Sequence, residues 1–419
     1  MRSGFSQGSL LLASCFLGVG LIPGGGEAQD IDELQELIEL QRQQIEAQQQ
    51  QLEEMERRLE GLEQESFRSE FIESIQPPEP PVIAEGARVT SGETGLDLAI
   101  SGQINRMVTV ANDGDDTKAY NVDNANSSSR IRFVGRARPR DEVLVGTLLE
   151  AEMTPNKSTE VSQRDQDTGN VSFESRHVDL FFEHEDWGRV SLGRGNTASD
   201  NTAEVDLSGT TVIGYSSVGD QAGGLFFYDD DTDELSQTTI GDVFSNLDGL
   251  SRRDRLRYDT PEFAGFTLSG DMISSARYST ALRWSGELPD WRMAGAAAYS
   301  YPGGDSDYII NGSTSVLHRP TGLNATLSAG TQEFDDQDNA TNYYLKLGWQ
   351  HDFFTFGGSA MSLDFGRTND LDEDGDQADT VGLQFVQNIE GYGIEFFAGY
   401  RFHSLDRDDA DFDDIHVFS

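Results

Sequence analysis

The chain has 419 residues, with 74 Asp and Glu against 30 Lys and Arg and a formal charge of −44. So negative a charge excludes nucleic acid as a partner and points to cationic counter-ions. The 44 Gly and 24 Phe, with only 11 Pro, favour an all-β body over an α/β enzyme. Mean hydropathy is −0.50. No apolar run beyond the N-terminus reaches the roughly 20 residues of a membrane helix, so any membrane-spanning body must be a closed β-barrel.

The N-terminus carries Arg2, an apolar stretch from Leu10 to Leu21, and Gly26-Glu27-Ala28 before Gln29. That order predicts a secretory signal peptide over 1–28. Cys15 gives a rival reading as a lipoprotein, through Leu12-Ala13-Ser14-Cys15, although the apolar segment runs on past it to Leu21. Cleavage near Ala28 removes the only thiol, which excludes a disulfide framework or a cysteine metal site from the mature chain.

Residues 29–66 repeat apolar positions at 3–4 spacing through Ile31, Leu34, Ile38, Ile45, Leu52, Met55, Leu59 and Leu62, with Gln41 and Gln48 filling the other strip positions. The pattern predicts a left-handed coiled coil, and its Ile-rich a positions admit a trimer. Pro77-Pro78-Glu79-Pro80-Pro81 then marks 67–96 as a stiff extended linker.

From 97 to 419 the period falls to two. Ile131 and Phe133 alternate with Arg130 and Arg132, Leu256 and Tyr258 with Arg255 and Arg257, and Leu345 and Leu347 with Lys346 and Gly348. Sixteen strands are predicted, at 98–110, 128–138, 142–153, 172–184, 188–194, 252–259, 264–274, 277–286, 291–300, 306–317, 323–333, 341–351, 356–367, 378–388, 392–403 and from 412 onward. Alternation alone serves a soluble sandwich equally well. Three features favour an antiparallel transmembrane barrel. Aromatics gather at strand ends (Phe353-Phe354, Tyr392, Phe396-Phe397, Tyr400), Arg and Glu stand in mid-strand, and short turns alternate with long acidic loops, read at Asp113–Asp123, Asp335–Asp338 and Asp370–Asp376.

Three patterns then occur in order: SSSRIRFVGRARPRDEVLVGTLLEAEM, FESRHVDLFFEHEDWGRVSLGRGN and RRDRLRYDTPEFAGFTLSGDM. With Leu192-Gly193-Arg194 closing a hairpin, and with Tyr258, Thr260-Pro261, Phe263 and Gly265-Phe266, the region resembles the general diffusion porins of Gram-negative bacteria, a trimeric sixteen-stranded family. The ending Val417-Phe418-Ser419 departs from the aromatic terminus usual there, which reads as a last strand cut short. The coil is similar to one in phosphate-type porins.

The resemblance implies a third outer loop folded into the lumen after Arg194. On that loop Asp200, Glu204 and Asp206 would face an arginine wall of Arg130, Arg132, Arg255 and Arg257. Arg176 shares a face with Val178 and Leu180 under strict alternation, so it reaches the lumen only at a strand end or past a bulge. Arg106, Glu150 and Glu152 are further lumen candidates, and Arg136, Arg138 and Arg140 read as interface charges near a short turn. Opposed charges across a constriction set up a transverse field, so selectivity follows charge and width. For each arginine the alternative is a solvated wall charge.

The acidic runs, DLDEDGD at 370–376 among them, lack the bidentate Glu that an EF-hand supplies, so no metal site or cofactor is expected. The reading is a non-specific or weakly cation-preferring diffusion channel in the outer membrane, with the coil in the periplasm, tying the trimer or reaching the cell wall. Expected partners are outer-membrane lipid, two further copies in a homotrimer, small hydrophilic solutes and ions, and the barrel assembly machinery. An anion- or phosphate-selective porin would need mid-strand Lys. A structural tether or adhesin would have a plugged barrel, and an enzyme lacks any Ser/His pairing or nucleophile elbow.

Overall fold

The structure, a computed structural model, describes residues 89–91, 96–169, 173–304 and 306–419. The expected signal peptide, coil and most of the linker lie outside the described residues.

One antiparallel sheet holds the body. Among the described residues its strands form sixteen lanes. Lane β1 comprises Leu96–Gln103 and Arg106–Asn112, and β2 comprises Thr117–Asp123 and Arg130–Arg140. There follow β3 (Val143–Met153), β4 (Phe173–His184), β5 (Gly188–Asn196), β6 (Arg252–Asp259), β7 (Phe266–Ile273) and β8 (Tyr278–Leu288). Next are β9 (Trp291–Tyr301), β10 (Ser306–His318), β11 (Leu323–Phe334) and β12 (Ala340–Phe354). The last four are β13 (Gly357–Asn369), β14 (Gln377–Ile389), β15 (Ile394–Arg407) and β16 (Ile415–Phe418). Each lane pairs with the next. The ring closes where β16 pairs β15 through Phe402↔His416 and β1 through His416↔Asn112. Beside it Val89–Ser91 pairs the lower part of β1.

The polarity of the wall decides between sandwich and membrane barrel. Along β12, Tyr343, Leu345 and Leu347 are 53%, 42% and 56% exposed, whereas Tyr344 and Lys346 are 3% and 0% exposed. Leu180, Leu192, Leu256, Leu282, Leu327 and Leu383 repeat the outward apolar set, and Asp179, Ser191, Arg255, Arg283, Ser328 and Gln384 the buried polar one. A protein folded for water buries its leucines, because apolar surface gains about 25 cal/mol per Å² on leaving water. Here the leucines are offered outward in a continuous belt, which suits hydrocarbon. At the short-turn end Trp187, Trp291 and Trp349 lie 4.3, 4.4 and 5.3 Å from the rings of His184, His318 and His351.

The short turns are tight. Gly322, at φ +71°, packs so closely under Gln350 that a Cβ would come within 1.8 Å of its carbonyl oxygen. The long-loop end differs from expectation in one place. Asp113–Asp123 is not a loop: only 113–116 turn, and Thr117–Asp123 pairs with Arg106–Asn112. The strand escapes an apolar-outward reading because its polarity is inverted. Tyr120 and Val122 face inward beside Met107, onto an apolar cluster with Val161, Leu225 and Phe227, while Thr117 and Asn121 are exposed.

Candidate functional site

Between β5 and β6, residues 197–251 fold inward as a loop, L3. A buried loop must find partners for its backbone. L3 finds them on small polar side chains at the inward positions of lane after lane. Asp271 on β7 accepts the Ala198 N–H, and the Ser279 hydroxyl on β8 accepts the Ser199 N–H at 3.1 Å. On β10, Ser313 and Ser315 accept the Val205 and Leu207 N–H groups at 2.8 and 2.9 Å, and Asn311 donates to the Leu247 carbonyl at 2.8 Å. On β12 the fully buried Lys346 ammonium donates to the Asp206 carboxylate (2.7 Å), the Gly214 carbonyl (2.6 Å) and the Ser208 and Thr210 hydroxyls (both 3.1 Å). From Ile213 onward L3 packs Ile213, Val218, Leu225, Phe227, Ile240 and Val243 into the apolar cluster under the β1–β2 tip.

The wall of β2–β6 carries the arginines. Arg130 and Arg132 stand opposite Glu152 and Glu150 in register. Arg132 Nε donates to Glu150 at 2.5 Å, and Arg130 Nη1 lies 3.7 Å from the same carboxylate. The register of β3 against β4 shifts between Glu150 and Ala151, a bulge that takes up Arg176. From there Arg176 donates to Glu150 at 2.6 Å and Glu152 at 2.7 Å. Arg255 makes a two-pronged pair with Asp179, both contacts at 2.9 Å. Arg257 bonds Asp259 at 2.7 Å and the Thr197 carbonyl at 2.8 Å. Two-pronged guanidinium–carboxylate pairs fix geometry as well as charge.

The acidic side differs from the simple facing rows expected from sequence. Asp206 bonds Lys346, not an arginine. Glu204 accepts from the Asn246 amide at 3.0 Å, and Asp200 offers its carbonyl to Arg283 at 2.7 Å. Burial, followed by the nearby Asp200 carboxylate, pushes the Glu204 carboxyl up to about 8, and the same two causes with Glu204 itself hold Asp248 well above its ordinary value. Arg106 does not join the wall group. It shares the phase of the exposed Val108 and Val110 and pairs with Asp123 at 2.7 Å.

Sequence reasoning passed over Arg283, Lys346, Asp364 and Arg401 as site residues. Each stands between outward apolar neighbours, as Lys346 does between Leu345 and Leu347, so the alternation already assigned them inward. Asp364 and Arg401 form a fully buried pair with both contacts at 2.8 Å. Asp248, on the return arm of L3, accepts from the Asn201 and Ala203 N–H groups at 2.5 and 2.7 Å, and no sequence signal marks it.

A family model described as "Gram-negative porin" matches residues 82–410. No curated protein sequence matches the chain. Among solved structures, an anion-selective porin from Comamonas acidovorans is 12% identical, with 77% of this chain and 97% of that chain covered and a TM-score of 0.52. In vitro folded OmpT, an outer membrane protein of Vibrio cholerae, is 10% identical, covering 80% and 98% at a TM-score of 0.51. The outer membrane channel DcaP of Acinetobacter baumannii is also 10% identical, covering 79% and 97% at a TM-score of 0.50. At such identities the likeness is one of fold.

Proposed function

Because the chain belongs to the Gram-negative porin family, we propose that its lumen is a water-filled passage narrowed by L3 and filtered by charge at the β2–β6 wall. The protein is an outer-membrane diffusion channel for small hydrophilic solutes. The observation that carries this is the inverted wall, with leucines exposed and arginines, aspartates and serines enclosed.

The filter residues are Arg130, Arg132, Arg176, Arg255 and Arg257 on the wall, with Asp200, Glu204 and Asp206 on L3. Glu150, Glu152, Asp179 and Asp259 answer most of the wall's positive charge within the wall itself. The loops 113–116, 335–339, 370–376 and 408–414 contain many Asp or Glu and no Lys or Arg. An acidic mouth concentrates cations, so the preference is weakly cationic rather than anionic. Three copies assemble side by side, the N-terminal coil lies in the periplasm and ties the trimer or reaches the cell wall, and the barrel assembly machinery inserts the chain.

Planar-bilayer recording in a KCl gradient tests this. Open steps grouped in threes are expected, with a reversal potential slightly to the potassium side. The double variant R132Q/R176Q leaves Glu150 only its 3.7 Å contact with Arg130 and moves that potential further toward potassium. A protein that inserts and stays silent would be a tether.

A further inference from the structure

On the outer wall, four neighbouring lanes share one row at the short-turn end. Trp291 of β9 stands across from His318 of β10, His318 across from Leu323 of β11, and Leu323 across from Trp349 of β12. The β10–β11 turn fixes this row. The Thr321 hydroxyl meets His318 Nδ1 at 2.8 Å, and the Thr321 carbonyl accepts the Trp349 indole N–H at 2.9 Å. The His318 ring packs on Trp291, and His351 stacks on Trp349 with Phe353 edge-on to both. With Nδ1 engaged, His318 has Nε2 left for an outside partner. The exposed His351 ring makes ring contacts alone, and among the described residues neither imidazole forms an ion pair with a carboxylate. The pair at β4–β5 differs, since His184 Nε2 lies 3.7 Å from Glu142.

Further up the same lanes the apolar belt is hollow. Ala297, Gly312 and Ala329 stand side by side on β9, β10 and β11. Over Gly312 and Ala329 lies a depression of about 460 Å³, rimmed by Leu327, Tyr343, Leu345 and Phe365. Gly312 is six residues from His318, and Ala329 six from Leu323. At about 3.4 Å per residue and a tilt near 45°, that is roughly 15 Å of depth, half of the roughly 30 Å hydrocarbon core. A hollow left empty forfeits the contacts of its lining, and in a membrane the groups at that depth are acyl chains. A chain that ends there begins at the level of His318 and Trp349, where lipid headgroups lie. One leaflet's length of lipid spans both features.

We propose that the outer wall of β9–β12 binds one glycerophospholipid from the leaflet at the short-turn end, its phosphate on His318 and His351 and the end of one acyl chain in the hollow over Gly312 and Ala329. An imidazole offers an N–H donor whether neutral or charged, and phosphate oxygens are strong acceptors. The headgroup seat is built before the lipid arrives, because Thr321 holds one imidazole and one indole at once, so little ordering is lost on binding. The belt of a second copy is a poorer occupant: it offers leucines, which answer the hollow but not the imidazoles. The seat faces away from the lumen and is independent of what passes through it.

The test is native mass spectrometry of the full-length protein, stripped of lipid in detergent and titrated with palmitoyl-oleoyl phosphatidylethanolamine. One molecule per chain is expected to bind at least about tenfold more tightly than any that follow. H318F/H351F keeps the ring contacts, removes the donors and should weaken that first molecule about tenfold, the effect of one hydrogen bond to a charged group. A329F fills the hollow and should weaken the same molecule from the other end. Should one variant fail to fold, the other carries the expectation, and KCl conductance should stay as in the wild type. A series of equal affinities, or a first molecule that a folded variant holds as tightly as the wild type does, overturns the site. So does a disulfide between copies carrying A329C, which would make this face a subunit contact.

Discussion

Lys346 shows how one residue holds the loop that narrows the barrel. Its ammonium is fully enclosed, and four acceptors surround it. Among the described residues Lys346 is the one cation paired with the buried Asp206 carboxylate; Lys346→Met removes it, and an orphaned buried charge costs about 3–5 kcal/mol. The expected result is a lower urea midpoint in lipid vesicles and faster proteolysis within 197–251. Glu204 supplies a pH dependence. Its folded value is raised, so the folded state binds the proton more tightly than the unfolded chain does. That stabilisation is fully present below the ordinary value of 4.5 and is lost as pH climbs through about 8. The groups around it are Asp200, Asp220 and Asp248 of the loop, the Asn246 amide and Arg252 of β6. Ionisation adds negative charge to the passage, so potassium preference should grow between pH 7 and 9. In E204Q the reversal potential should stay level over that range.

At the scale of strands and loops, the outward belt predicts its own sensitivity. Leu345→Arg places a charge in mid-belt and should cost about 2–4 kcal/mol, read as a lower unfolding midpoint and less protein in the outer membrane. Gly322→Ala forces a Cβ against the Gln350 carbonyl at a positive φ, so the β10–β11 turn should shift and heat stability fall. Most strands were legible because hydrocarbon outside and polar groups inside impose a strict period of two. Thr117–Asp123 was not, because above the belt the same strand packs Tyr120 and Val122 inward on loop side chains while its outer face meets water. The bulge at Arg176 left a trace in the sequence, an arginine on the wrong phase, yet its carboxylate partners depend on register with β3. The alternation placed Lys346 and Arg283 inward, but nothing in it paired them with Asp206 and Asp200. They lie more than 80 residues away in the chain, on strands that L3 meets only after folding.

For the whole molecule, side-by-side assembly predicts that unheated protein in mild detergent has the mass of three chains and falls to one on heating, measured by light scattering. The hydroxyl groups and Lys346 that hold L3 belong to β8, β10, β12 and β13, all of which follow the loop in the chain. During synthesis L3 therefore emerges before these anchors exist, with only its earlier partners, Asn124, Ser158 and Gln163 among them, already made. The contacts to the later strands must wait until those strands have curled round it. Ile415 and Val417 of β16 share an apolar cluster with Ile213, Val218 and Leu225 of L3, so the seam that closes the ring and the seat of the loop that narrows it stabilise one another.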